Sequence, residues 1–211
     1  MRLLAVLCLG LSLAACSGLG RKDDTQPRPG TPGDAPALPD KGDPQARFDA
    51  ALSQWKQNQI AEAEAELKAL TVDFPEFSGP WTNLGILYAK SNRRDAAVAA
   101  LSTAATLNPK NDVAFNWLGI LNREAGQLER ARLAYLKALD ANPDSALAHY
   151  NLAILLDAHL KQPDAALAHY AAYQRLAGKQ DLKVMAWVAE IEARQTAADP
   201  APAHPTPEAT P

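Results

Sequence analysis

A register of eight residues occurs twice in this chain, 34 positions apart. Trp81, Leu84, Gly85, Tyr88, Ala97, Leu101, Ala104 and Pro109 are matched by Phe115, Leu118, Gly119, Asn122, Ala131, Tyr135, Ala138 and Pro143, and only the step from Tyr88 to Asn122 changes chemical character. A chain with such a period is constrained to an array in which each unit buries its apolar face on its neighbour. Within one unit, Trp81, Leu84 and Tyr88 share a helical face, and Ala97, Leu101 and Ala104 share one on a second helix. Gly85, Gly119, Ala97 and Ala131 are small enough to let two helix backbones approach closely. Asn92 and Gly126 stand at the turns between helices, where a positive φ is easily reached by these residue types. Pro109 and Pro143 close the second helices, lacking an N–H and clashing with a preceding helical turn.

In this register, residues 78–111 and 112–145 resemble tetratricopeptide repeats, and the signature positions of that family are the residues just named. Looser copies flank them. In 44–77 the stripes are Phe48, Ala51, Leu52, Trp55 and then Ile60, Ala63, Leu67, Leu70 and Pro75. In 146–179 they are His149, Leu152, Ala153, Leu156 and then Ala166, Tyr170 and Tyr173, arriving one residue late. The reading places that extra residue in the turn at 160–163. Gly178 suits a helix C-cap and Asp181 an N-cap; Val184, Trp187, Val188 and Ile191 then form an amphipathic helix that covers the last unit. The expectation is an all-α, right-handed solenoid of about four helix pairs plus a capping helix. Its helices lie near 45–57, 60–73, 78–91, 94–107, 112–125, 128–141, 146–160, 164–177 and 181–196. Aromatics at 6% and the scarcity of alternating β-branched runs exclude a β-sandwich.

The repeat body, 45–194, is bounded by segments of different character. Eleven of the sixteen prolines lie outside it. Residues 1–15 carry Arg2 and an apolar run over 3–13, a signal-peptide core too short for the roughly 20 residues that span a bilayer. Leu13-Ala14-Ala15-Cys16 resembles the bacterial lipoprotein box. The resemblance implies cleavage before Cys16, lipidation of that cysteine and, with Ser17 following, an outer-membrane address facing the periplasm. Removal of Cys8 with the leader and lipidation of Cys16 leave no thiol for a disulfide or a zinc site. Residues 17–44 hold six prolines and five glycines and read as a disordered tether spanning on the order of 30 Å. Residues 195–211, with five prolines, read as a second disordered tail with polyproline character.

Charge and motif content exclude several functions. The net charge of −3 is made of 21 basic and 24 acidic residues, and no basic stripe marks a nucleic-acid binder. No phosphate-binding glycine loop, dinucleotide fingerprint, H-E-x-x-H or G-x-S-x-G is present, so no cofactor is expected. Ser53 and Lys56 fit S-x-x-K, but lie inside a repeat helix without the companion boxes. His149 and His159 are ten residues apart and off each other's helical face, and His169 is on the next helix, so no metal site is expected. His149 occupies the packing slot of Trp81 and Phe115. Glu62 and Glu66 share a face from which Glu64 points away, on a helix surface unsuited to a general-acid pair. Enzymatic activity is not expected.

Family resemblance implies instead that the first helices line a concave groove for a protein or peptide partner. Carried over by register, the lining is Thr82, Ile86, Ala89 and Lys90, then Asn116, Ile120, Arg123 and Glu124, then Tyr150, Ile154 and Asp157. Ile86, Ile120 and Ile154 recur every 34 residues, and two roles fit this stripe: ligand contact and packing between repeats. Lys90 and Arg123 are offset by Glu124 and Asp157, which suits a helix or extended segment with apolar and polar faces better than a carboxylate clamp. The reading is a membrane-anchored scaffold for an envelope complex. The alternative resembles the pilotin lipoproteins that help an outer-membrane secretin to assemble.

Overall fold

In the computed structural model, which describes residues 40–178 and 180–198, the helices are α1 Pro44–Lys56, α2 Ile60–Asp73, α3 Ser78–Lys90, α4 Arg94–Leu107, α5 Asp112–Glu124, α6 Leu128–Ala141, α7 Ala146–Ile154, α8 Pro163–Ala177 and α9 Leu182–Ala198. No strand occurs among the described residues. The leader, Cys16, nearly all of the tether and the tail beyond 198 lie outside them. Where the tether was expected to run on to 44, Pro44 already opens α1 with Asp43 as its N-cap, accepting from the Gln45 N–H at 2.9 Å. The tail expected from 195 is helical through Ala198. No helix among the described residues is long and apolar enough to cross a membrane.

Each odd-numbered helix from α1 to α7 packs on its successor, each even-numbered helix packs on the next odd one, and α3 touches α5 as α5 touches α7. The result is an α-solenoid whose first helices form one layer and whose second helices form another. Small residues set the spacing between layers. Ala51, Gly85, Gly119 and Ala153 occupy equivalent positions. A Cβ on Gly85 would fall 2.6 Å from Leu101 Cγ, and one on Gly119 would enter the Tyr135 ring. Ala97, Leu101, Ala104, Ala131, Tyr135 and Ala138 are all fully buried, as the periodicity requires of the second-helix face.

The turns obey the same period. Asn58, Asn92, Gly126 and Lys161 all have positive φ, between 55° and 71°. In the first three turns the next N–H reaches back five residues, as in Arg93 to Tyr88 O and Gln127 to Asn122 O. In the fourth, Gln162 reaches back six, to Leu156 O. The extra residue of the last unit therefore sits inside the helix, not in the turn where the sequence reading placed it. Leu155–His159 form a π-helical turn, with the Leu160 N–H bonded to Leu155 O at 3.0 Å. Between units, the Asn108 and Asn142 side chains accept from the N–H groups of Lys110 and Asp144, forming Asx turns across Pro109 and Pro143.

Ion pairs tie the surface together at few points. Glu64 is gripped by Arg93, with Nη1 2.7 Å from Oε1, and by Lys68, while the Arg93 guanidinium lies 4.3 Å from the Tyr88 ring centroid. The Arg93 hydrogen bond, followed by that of Lys68, outweighs burial and draws the Glu64 carboxyl down to about 2. Glu66 pairs with Arg47, which also holds Asp73. Glu64 and Glu66, two of the three alternating glutamates of α2, thus anchor this helix to its neighbours. Ser53 accepts from the Gln57 amide on the surface of α1.

Candidate partner-binding face

The residues expected to line a groove lie on one stripe along α3, α5 and α7, with Asp157 in the π-helical turn after α7, because positions i, i+3, i+4 and i+7 share a helical face. The structure turns two of them inward, a correction to their reading as lining. Thr82, 6% exposed, donates to Ser78 O and accepts from the Asn111 amide at 2.7 Å. Asn116, 5% exposed, accepts at Oδ1 from Asn151 Nδ2 at 3.0 Å. Both spend their polar groups on neighbouring elements of the stack, since a buried amide or hydroxyl without a partner is costly.

Ile86, Ile120 and Ile154 are half-buried. The first packs against the cluster around Leu101 and Leu121, the other two against the cluster around Tyr135 and Leu152. Of the two roles left open by the sequence, packing is the one these contacts carry, and each side chain keeps an open edge on the face. Lys90 is exposed and its Nζ lies 5.6 Å from the Trp55 ring centroid, beside a cavity of about 480 Å³ lined by Leu52, Trp55, Lys56 and Asn83. Arg123 is half-buried and Glu124 exposed at the end of α5. Tyr150 stacks against Tyr173 at 5.0 Å and Trp187 at 6.3 Å. Asp157 is paired with Arg194 of α9 at 2.9 Å and is therefore not a free charge on the face.

Sequence reasoning missed the most exposed apolar part of the stripe. Val113 lies seven residues before Ile120, Leu147 seven before Ile154, and Leu182 opens α9 in the corresponding place. They are 44%, 64% and 75% exposed. The signal was present: the spacing from 113 to 147 is the repeat period, and 182 follows with the one-residue slip. Met185, 41% exposed, continues the patch on α9.

The histidines also required the tertiary structure. His149 and His169 meet across the α7–α8 hairpin, Nδ1 to Nδ1 at 2.9 Å, and His149 Nε2 bonds Pro143 O at 3.0 Å. A carbonyl can only accept, so His149 donates through Nε2 and its Nδ1 accepts the His169 proton. Burial, then the neighbouring His149, lowers the pKa of His169. On the same flank Tyr173 donates to Asp181 at 2.9 Å. This bond raises the Tyr173 pKa and lowers that of Asp181, and burial holds Tyr170 up at about 12.

Tetratricopeptide repeat profiles match residues 48–112, 82–146 and 134–168, together more than half of the chain. The chain belongs to the tetratricopeptide repeat family. It is a repeat scaffold of the kind that mediates contacts between proteins. Anaphase-promoting complex subunit 3 of Schizosaccharomyces pombe is 31% identical over 97 residues, which is 44% of this chain but 14% of that subunit. Among solved structures, a thermophilic repeat protein of Thermus thermophilus superposes with a TM-score of 0.60 at 24% identity, covering 73% of this chain and 84% of that one. PilF of Pseudomonas aeruginosa gives a TM-score of 0.64 at 17% identity, covering 73% and 69%. These two likenesses are of fold.

Proposed function

We propose that this chain is a lipid-anchored scaffold, facing the periplasm from the outer membrane, that recruits a protein partner to an envelope complex through the stripe on α3, α5 and α7. The observation that carries the reading is the recurrence of exposed apolar side chains at Val113 and Leu147, in line with Ile120 and Ile154. Regularly spaced apolar groups left open on one face suit an amphipathic helix or extended segment laid across the units. The anchor rests on Leu13-Ala14-Ala15-Cys16, where acyl chains on Cys16 would add about 0.8 kcal/mol per buried CH₂.

The test uses the full chain in cells. A photo-crosslinking residue at Leu147 captures a discrete envelope protein, and Leu147→Asp or Val113→Asp abolishes its recovery while leaving the melting curve unchanged. Unchanged recovery removes the stripe from consideration. Cys16→Ser shifts the protein from the membrane to the soluble fraction if the anchor is correct. Deletion that abolishes a multimeric outer-membrane pore would favour the pilotin-like reading; a complex that forms but does not work favours the scaffold.

A further inference from the structure

The helix α9 repeats the first-helix register a fifth time. Val184, Trp187, Val188 and Ile191 stand 35 residues after His149, Leu152, Ala153 and Leu156, and Val184 and Ile191 are fully buried. No second helix pairs with α9 among the described residues. Between α9 and α7 lies a cavity of about 370 Å³ whose lining includes Ile154, Asp157, Tyr170, Trp187 and Arg194. Its aromatic wall continues past the cavity. Trp187 is 6.0 Å from Tyr170 and 6.3 Å from Tyr150, which stacks on Tyr173. Lys183 sits 4.7 Å over the Trp187 ring. This channel, in which the rings of Tyr170 and Trp187 stand among the charged Asp157, Lys161, Glu190 and Arg194, suits a polyproline helix, which presents ridged pyrrolidine faces to rings, leaves its carbonyls open to polar groups and has little conformational entropy left to lose.

The chain carries such a segment next to the channel. Residues 199–211 read Asp-Pro-Ala-Pro-Ala-His-Pro-Thr-Pro-Glu-Ala-Thr-Pro, with a P-x-x-P at 202–205. The geometry points to residues 199–211 folding back along α9 and occupying this channel as a polyproline strand. The lengths agree. Trp187 lies about 16 Å and Lys183 about 22 Å back along α9 from Ala198, at 1.5 Å per residue. With roughly three residues used in the reversal at Asp199-Pro200, a polyproline rise of about 3.1 Å brings Pro205 and Pro207 level with Trp187 and Glu208 level with Lys183. The ring wall meets the prolines and the lysine meets the tail's second acidic residue. Attachment to the end of α9 gives the tail an effective concentration on the order of millimolar, which the proline-containing segment before α1, joined at the opposite end of the stack, does not share. This inference stands apart from the membrane reading, since an internal occupant needs neither an anchor nor an outside partner.

The experiment places a photo-crosslinking residue at Glu190, an exposed position on the rim, in the otherwise unaltered full chain. Mass spectrometry of the monomer band is expected to show links to 202–208. The links fall about tenfold in the Pro202→Gly, Pro205→Gly, Pro207→Gly variant and in Trp187→Ala, while circular dichroism of the proline variant is unchanged. Links to 17–39, links found only between two chains, or no link to 199–211 would each overturn the assignment. Loss of partner capture at Leu147 with these tail links intact would sink the partner reading alone.

Discussion

Asn151 donates its side-chain amide to Asn116 Oδ1 at 3.0 Å, and both residues are buried where α5 meets α7. The bond joins two units through their first helices, α5 and α7. Replacing one partner strands the other amide in a buried site. Asn151→Leu and Asn116→Leu are each expected to destabilise the fold by about 1–3 kcal/mol, whereas the double replacement by leucine recovers most of that loss. Urea denaturation of the two single variants and the double variant measures the coupling; additive losses would show that the pair does not interact.

Tyr135 fills the space that Gly119 leaves open. Gly119→Ala drives a Cβ into the ring and is expected to cost about 1–3 kcal/mol, as Gly85→Ala is against Leu101 in the preceding unit. Tyr135 Oη is buried without a hydrogen-bond partner, and burial lifts its pKa to about 12. Tyr135→Phe is therefore expected to leave stability unchanged or raise it by about 1 kcal/mol. A lower urea midpoint for Tyr135→Phe would contradict this account of the hydroxyl.

His169 gives the fold a pH dependence with a definite sign. Its pKa is lowered in the folded state, by burial first and by His149 second, from an ordinary value of 6.5. The unfolded chain thus takes up the proton more readily. Stability is full above that ordinary value and declines as pH falls below it toward the folded pKa. His169→Gln is expected to flatten the denaturation midpoint between about pH 7 and 5. An equally steep profile in the variant would assign the effect to another group.

The turn residues provide a test of backbone conformation alone. Lys161 holds φ at 55° where Gly126 holds 71° in the preceding unit, and a Cβ on Gly126 would meet nothing within 4 Å. Gly126→Ala is expected to cost about 1 kcal/mol and Lys161→Gly to gain about 0.5 kcal/mol, both through left-handed backbone strain. Lys161→Ala, which keeps the strain and loses the Nζ bond to Ala158 O, should show no gain. Thermal melts of the three variants read these signs directly.

The order of helices was legible because each carries a 3.6-residue stripe and the stripes recur at one period; α2, α4 and α6 begin and end at the expected residues. The π turn was not. Periodicity shows that a residue has been added after Leu156, but Leu155, Leu156 and Ala158 are good helix formers and Lys161 takes the left-handed turn, so the addition is absorbed within the helix. Thr82 and Asn116 were misplaced because register assigns a face without saying how near the next unit comes. The His149–His169 contact joins helices of a hairpin, where wheel angles within one helix carry no information. Val113 and Leu147 obeyed the same recurrence as the isoleucines and could have been read from it.

Residues 78–111 and 112–145 are built from the same parts: a left-handed residue at the inner turn, an Asn-Pro junction closing the second helix, and a small side chain facing a large one. A gene that copied either cassette in frame would create boundaries of a kind the protein already tolerates. The contact area offered to a ligand can therefore lengthen by whole increments of about 10 Å per added helix layer, making reach an evolutionary variable separable from foldability.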